Sequence, residues 1–270
     1  MQFSVLMSIY IKEKPEYVDE CFKSLLKQTV LASEWVVVED GPLTEEMYKL
    51  LDEYQANFPG LIKRIPLKHN QGLGLALKKG ITECSNELIA RMDTDDIAKE
   101  DRFEKQIEMF MNDSKLDICG SHIIEFEGSI NNVLSKRNVP LTHENIASYQ
   151  KQRSAFNHMT VMYKKAAVLK AGNYEDCPLM EDDMLWVRML MSGAYCANID
   201  DYLVYARTGV EMIKRRGGVS YFKKYKAARK KIMLTGYISW FDYAKTVAIQ
   251  LFVSLIPNSV RLFIFLKLLR

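Results

Sequence analysis

Three carboxylates fall within four residues at Asp93-Thr94-Asp95-Asp96, directly after the apolar run Leu88-Ile-Ala-Arg-Met92. Carboxylates packed this closely repel one another, so the cluster is costly unless a divalent cation or a hydrogen-bonded ligand sits among them. An Asp-x-Asp pair alone is a weak motif, and a solvated acidic turn is the plain alternative. A second acidic group, Glu181-Asp182-Asp183, opens a helical pattern, where the helix dipole favours ionised side chains. Such residues are common helix-start acids. In a functional reading, one of them is a general base taking a proton from an attacking hydroxyl, work worth roughly 10²–10⁴-fold in rate.

The elements that must position these acids follow from hydrophobic periodicity. Phe3 to Ser8, Glu34 to Val38, Ile62 to Leu67 and Glu87 to Met92 are strand-like. Between them Pro15 to Thr29, Thr44 to Asn57 and Gly72 to Glu83 place apolar residues at helical spacing. Strand and helix alternating this way predict a mostly parallel sheet flanked by helices, and such sheets bind ligands at the carboxyl ends of their strands. Four ends then converge: Ser8 and Tyr10, Glu39-Asp40-Gly41, His69-Asn70-Gln71-Gly72, and Arg91 with the Asp93 cluster. Tyr10 can cover a planar base and Asp40 can accept a base N–H. Asp93 can take ribose hydroxyls, and Asp95 a cation bridging a diphosphate. Asn70-Gln-Gly72-Leu-Gly74 lacks the third glycine of a dinucleotide fingerprint, because Leu77 stands in that place. Its glycines suit a close approach of backbone to ligand or sheet at a helix start.

Further along, a helix over roughly Asp101 to Asn112 and a long strand over Leu116 to Phe126 precede a polar, weakly periodic stretch, Asn131 to Gln152. A helix is expected over Tyr163 to Ala171 and another over Glu181 to Ser192, then strands over Ala194 to Ile199 and Tyr202 to Ala206. His158 lies beside strand-like residues and reads as structural or as a site residue. Arg207, Arg215 and Arg216 read either as a cationic flap over a diphosphate or as more of a basic surface.

The 270 residues are 48% hydrophobic, enough for one large domain with an appendage, and the net charge of +3 is too small to imply nucleic acid. Basic residues concentrate at Lys223, Lys224, Lys226 and Arg229-Lys230-Lys231, which points to an anionic surface. Beyond them, Val247 to Ile256 and Val260 to Leu269 are each about half the ~20 residues that span a bilayer, separated by Pro257-Asn258-Ser259. They fit an amphipathic pair lying in a membrane interface, or a terminal helix packed on protein. Five scattered cysteines show no zinc or disulfide spacing and fit a reducing compartment. The N-terminal run is too short for a signal peptide and reads as the first strand.

Taken in order, Ser4-Val-Leu-Met-Ser8-Ile-Tyr10, Val36-Val-Val-Glu-Asp40-Gly41, Asn70-Gln-Gly72-Leu-Gly74, Arg91-Met-Asp93-Thr-Asp95-Asp96, His158-Met-Thr160-Val-Met and Glu181-Asp182 before Leu185-Trp186 resemble the family 2 glycosyltransferases. Within these they resemble the bacterial capsule, exopolysaccharide and O-antigen enzymes, including the amylovoran-biosynthesis type.

The resemblance spans about residues 1 to 218 and implies a GT-A fold, with residues 1–112 as nucleotide-binding half, 113–218 as acceptor half and 219–270 as a helical membrane-associating extension. It implies a nucleotide-sugar donor, usually UDP-linked, Mn²⁺ or Mg²⁺, and inversion at the anomeric carbon. By position Ser8, Tyr10 and Asp40 would hold the base, Asp93 the ribose and Asp95 the metal, with Asn70 and Arg91 in the same donor-binding set. Asp182 would be the catalytic base, and His158, Glu181, Arg207, Arg215 and Arg216 would contact acceptor or diphosphate. The expected acceptor is a lipid-linked glycan at the cytoplasmic face of the membrane.

Two departures are visible: Pro42 replaces a serine common in the family and removes an N–H, and Asp183 stands where an aromatic is frequent. A sugar-phosphate nucleotidyltransferase would share the sheet and the carboxylates but should carry a Gly- and Arg/Lys-rich loop where Ile9-Tyr-Ile-Lys12 stands. A non-catalytic membrane-docked binding module is the other alternative.

Overall fold

A computed structural model describes residues 1–209 and 217–256. Arg215, Arg216 and the segment from Val260 to Leu269 therefore lie outside the described residues. The first half alternates as its periodicity predicts: β1 (Phe3–Ile9), α1 (Pro15–Leu26), β2 (Glu34–Glu39), α2 (Glu45–Asn57), β3 (Ile62–Pro66), α3 (Leu73–Glu83) and β4 (Leu88–Arg91). Pro15 starts α1, where a missing N–H costs nothing. Thr44 caps α2 by accepting the Met47 N–H at 3.2 Å.

β1 shows why this half is a buried parallel sheet. Phe3, Val5, Met7 and Ile9 point into a core shared with Val18, Phe22 and Leu25 of α1, whereas Leu6 points into a second core with Ala76, Leu77 and Ile81 of α3. A strand covered on both faces reads as an unbroken apolar run. β1 pairs in parallel with β2 on one side and β4 on the other, and β2 pairs in parallel with β3.

The second half adds β5 (Ile97–Ala98), α4 (Arg102–Asn112), β6 (Leu116–Glu127), β7 (Ser129–Arg137), α5 (His143–Gln150), β8 (Met162–Lys164), α6 (Lys165–Lys170), α7 (Glu181–Met191) and β9 (Tyr195–Arg207). The sheet order is β3-β2-β1-β4-β8-β6-β9-β5, with β7 on β6. β8 runs antiparallel to both β4 and β6, so the sheet is mixed.

Three expectations change. The polar stretch after residue 131 holds the end of β7 and α5, whose Thr142 cap accepts the Asn145 N–H at 3.4 Å. Residues 162–164 pair as β8 before the short α6 begins, so the helix over Tyr163 to Ala171 starts late. The two strands expected over 194–206 are one, β9, which pairs in parallel with β6 and shifts register near His122.

After β9, α8 (Gly218–Leu234) and α9 (Trp240–Leu255) pack on each other and on the domain. Ala228 and Ile232 of α8 and Ile238 share an apolar cluster with Met180, and with Met184 and Val187 of α7. Ser239 and Asp242 form a reciprocal capping box that starts α9. Among the described residues no helix is long and apolar enough to cross a membrane. The five cysteines are buried and unpaired.

Candidate active site

The four parallel strands deliver their polar ends to one rim. Ser8, near the end of β1, and Tyr10, just after it, are both half-buried. At the end of β2, Asp40 is buried and accepts the backbone N–H groups of Gln71 at 2.7 Å and Gly72 at 3.0 Å, while Asn70 Nδ2 donates to the Asp40 carbonyl at 3.1 Å. Gly41 has φ +88°, and a Cβ there would come within 2.6 Å of the Asn70 nitrogen, so only glycine lets these two strand ends close. The neighbouring Glu39 is committed elsewhere, to Arg64 Nε at 2.5 Å.

At the end of β4, the buried Arg91 forms an ion pair with Asp93, and its Nε has no hydrogen-bond partner. Burial, with the charge of Asp93 adding to it, pushes the Asp95 carboxyl up to about 6, against the pull of Arg91 and Arg207. Asp96 is pushed up for the same reason, burial first and then Asp95 and Asp93. One oxygen of Asp96 accepts the Arg207 N–H at 2.6 Å and the other is buried without a partner. Raised carboxylates with an orphaned buried oxygen fit a cation, which would relieve both the repulsion and the missing contact. Among the described residues no three His, Cys, Asp or Glu side chains form a metal cage. A Mg²⁺-like ion held by one or two carboxylates plus substrate phosphates does not require one.

Arg207 has a fixed place. Its Nε donates to the Asp95 carbonyl at 2.9 Å, Nη1 to the Gly128 carbonyl at 3.0 Å and Nη2 to Glu20, while the guanidinium lies 3.9 Å from the Tyr17 ring centroid. Instead of a flap, it is a clamp joining β9 to the acidic turn, assisted by the β5–β9 pairing of Ile97 with Tyr205.

The second acidic group meets this rim. Glu181, Asp182 and Asp183 form the first turn of α7. A Cβ on Gly74 would lie 2.5 Å from the Glu175 carbonyl oxygen and 3.0 Å from the Glu181 Cβ, so the start of α3 touches the start of α7. Burial raises the Asp182 carboxyl well above its usual range, with the charges of Asp183 and Glu181 adding and Arg137 opposing. Glu181 is also raised by burial, while Arg91 pulls it down. Asp183 is held by Gln150 Nε2 at 2.8 Å.

His158 borders the same space. Its Nε2 lies 2.8 Å from the Tyr174 hydroxyl, its ring sits edge-on to Trp186, and burial with the nearby charge of Arg91 pushes its pKa far below the usual value. It is therefore uncharged at neutral pH. Tyr174 and Gln150 were not among the sequence candidates: one lies in a loop and the other in a polar stretch without clear periodicity.

A mixed sheet with helices on both faces, an acidic turn after its fourth strand and a second acidic helix start define the GT-A class of nucleotide-sugar transferase folds. A solved structure titled mannosyltransferase PcManGT from Pyrobaculum calidifontis, in complex with GDP-Man and Mn²⁺, superposes with a TM-score of 0.65 over 97% of this chain and 72% of that one, at 14% identity.

The profile of "Glycosyl transferase family 2" matches residues 4–177. The amylovoran biosynthesis glycosyltransferase AmsE of Erwinia amylovora is 37% identical over 268 residues, 98% of each chain. An Escherichia coli UDP-Gal:alpha-D-GlcNAc-diphosphoundecaprenol beta-1,3-galactosyltransferase is 35% identical over 269 residues, all of this chain and 97% of the relative. The chain belongs to the family 2 glycosyltransferases.

Proposed function

We propose that the chain is an inverting, metal-assisted hexosyltransferase that moves a sugar from a UDP-linked donor to a hydroxyl of a lipid-linked glycan during bacterial surface polysaccharide synthesis. One observation carries this reading: the acidic start of α7 packs against the start of α3 at Gly74 and lies close enough to Arg91 and Asp93, after β4, for both charges to act on Glu181. The names of the Erwinia and Escherichia relatives support polysaccharide synthesis, a UDP-linked donor and a diphosphate-lipid acceptor.

In this account Ser8, Tyr10, Asp40 and Asn70 receive the base and Asp93, oriented by Arg91, the ribose. Asp95 would hold Mn²⁺ or Mg²⁺, which would supply positive charge to neutralise the diphosphate leaving group. Asp182 takes the proton from the acceptor hydroxyl as its oxygen attacks the anomeric carbon from the face opposite the departing diphosphate. Burial, and after it the charges of Asp183 and Glu181, raises the Asp182 carboxyl, so it holds a proton more readily than an exposed aspartate. His158, uncharged and tied to Tyr174, and Glu181 line the acceptor side. Arg207 acts on the diphosphate indirectly, by fixing Asp95 and Asp96.

The membrane surface is met by α9. Phe241, Ile249, Phe252 and Leu255 are all exposed, recur on one side of that helix and adjoin the basic α8. An exposed apolar stripe beside lysines fits the interface of an anionic bilayer at the cytoplasmic leaflet.

The test is a panel of UDP- and GDP-sugars with a diphosphate-lipid acceptor, run with Mn²⁺ or with chelator, with the anomeric configuration of the product read by proton NMR. Inverted product dependent on metal is expected. Retained configuration, or nucleotidyl transfer from a sugar phosphate, would overturn the reading.

A further inference from the structure

Gln150, the last residue of α5, is 1% exposed and uses both ends of its amide. Oε1 accepts the Ala155 N–H at 2.8 Å, and Nε2 donates to Asp183 Oδ1 at 2.8 Å. The next carbonyl along the chain, that of Lys151, accepts from Arg229 Nη2 at 2.7 Å. Arg229 is buried in α8, and its Nε donates to Thr246 Oγ1 of α9 at 3.2 Å. Hydrogen bonds thus run from α9 through α8 and the end of α5 to the first turn of α7. Apolar packing follows the same route, because Met184 and Val187 of α7 share a cluster with Ala228 and Ile232 of α8.

We propose that Gln150 is a positioning residue for sugar transfer, held in place by Arg229, which commits Asp183 to the fold so that the start of α7 presents Asp182 to the acceptor hydroxyl. This inference rests on Asp182 being the base.

The chemistry explains why such a device is needed. A carboxylate offers about four acceptor sites, and three consecutive acids at a helix start would otherwise compete for one hydroxyl proton. A primary amide is suited to singling one out: its NH₂ binds Asp183 without adding charge, while its carbonyl is locked by a backbone N–H and cannot flip. A misplacement of about 1 Å at a reacting group can cost on the order of 10²-fold in rate, so a bond that fixes the turn has catalytic weight. The C-terminal hairpin is then part of the acceptor side of the enzyme, and its outward stripe and the base are joined by the same bonds.

Gln150→Glu keeps the acceptor for Ala155 and replaces the donor facing Asp183 with a carboxylate oxygen. In the full chain, assayed with the donor and acceptor that the wild type turns over fastest, kcat should fall about ten- to a hundredfold. Donor KM and the affinity for UDP with Mn²⁺ should stay within about twofold. Adding Asp183→Asn to that variant restores the bond with its polarity reversed, and turnover should recover by most of the loss. Arg229→Met should lower kcat in the same direction and Arg229→Lys, which can still reach the Lys151 carbonyl, should recover part of it. The Arg229 pair decides the matter should the Gln150 variant not fold. Unchanged kcat in Gln150→Glu, or losses that simply add in the double variant, would overturn the proposal. Asp182→Asn measured alongside separates the two levels: if it stays active the base assignment fails, and if it is inactive while Gln150→Glu is normal, the positioning role alone fails.

Discussion

Gly74 and Glu181 meet where the two halves of the molecule close: a first side-chain carbon on Gly74 would sit 3.0 Å from the Cβ of Glu181. The start of α3 is therefore packed against the start of α7, which carries the second acidic group. Gly74→Ala should push the two apart. The Glu175 carbonyl at 2.5 Å is backbone and yields little, so the expected loss of stability is about 1–3 kcal/mol, with turnover falling further than stability alone explains. Thermal unfolding and kcat of the same preparation check this. An alanine variant with unchanged kcat would mean the spacing is not critical.

On the proposed assignment, Asp95 would link metal binding to pH. Burial and Asp93 hold its carboxyl at about 6, above the ordinary value near 4. Protons therefore compete with the cation, and Mn²⁺ affinity should weaken as pH falls through about 6. The metal-free protein should show the complementary effect. A carboxyl raised by folding loses stability as pH rises from its unfolded value through its folded one, so Asp95→Asn should raise the melting temperature at pH 7 and leave it nearly unchanged at pH 4. Calorimetric titration with Mn²⁺ and UDP should show the variant unable to bind both together. Wild-type metal affinity in Asp95→Asn would remove this residue from the site.

Arg207 should behave as a clamp, with effects at a distance. Arg207→Met removes the donors to the Asp95 and Gly128 carbonyls but leaves the backbone N–H that binds Asp96. The expected outcome is weakened metal-dependent UDP binding, by about tenfold, since charge-assisted hydrogen bonds of this kind are worth roughly 1.5–3 kcal/mol. Unaltered UDP affinity would show that the acidic turn holds its shape without the clamp.

On the surface of α9, Phe241 is 77% exposed and Phe252 64%. Phe241→Glu with Phe252→Glu should abolish binding to vesicles containing anionic lipid while leaving the affinity for UDP intact. Deleting everything after Gly236 is a harsher change, because it strips Thr246 from Arg229 and exposes the apolar cluster under α8. That truncation should lower the melting temperature, which sedimentation with vesicles and thermal unfolding together distinguish from a simple release.

The first half of the chain was legible because its code is local. Mostly apolar runs in β1, β2 and β4 alternate with 3.6-period helices, and each strand end carries its polar residues in the sequence itself. Asp40, Asp93 and Asp95 could thus be placed on one rim without coordinates.

The second half was less legible because its contacts are distant along the chain. Gln150 reaches Asp183, Arg229 reaches Lys151, and Gly74 touches Glu181, and none of these pairs leaves a periodic trace. β8 is three residues long and is held by partners on both sides, so tertiary pairing overrides the helical pattern that continues through it. Arg207 stayed open between a cationic flap and a basic surface for a related reason: its partners Tyr17, Glu20 and Gly128 are distant along the chain.

The central claim is that Asp182 removes the acceptor proton, and turnover of Asp182→Asn tests it most directly. Asparagine preserves size and polarity but accepts no proton at neutral pH. With saturating donor and acceptor, kcat should fall at least ~10²-fold, while the affinity for UDP with Mn²⁺ stays within about twofold of wild type. A kcat close to wild type in this variant, together with collapse in Glu181→Gln or Asp183→Asn, would contradict the account and move the base to that neighbour.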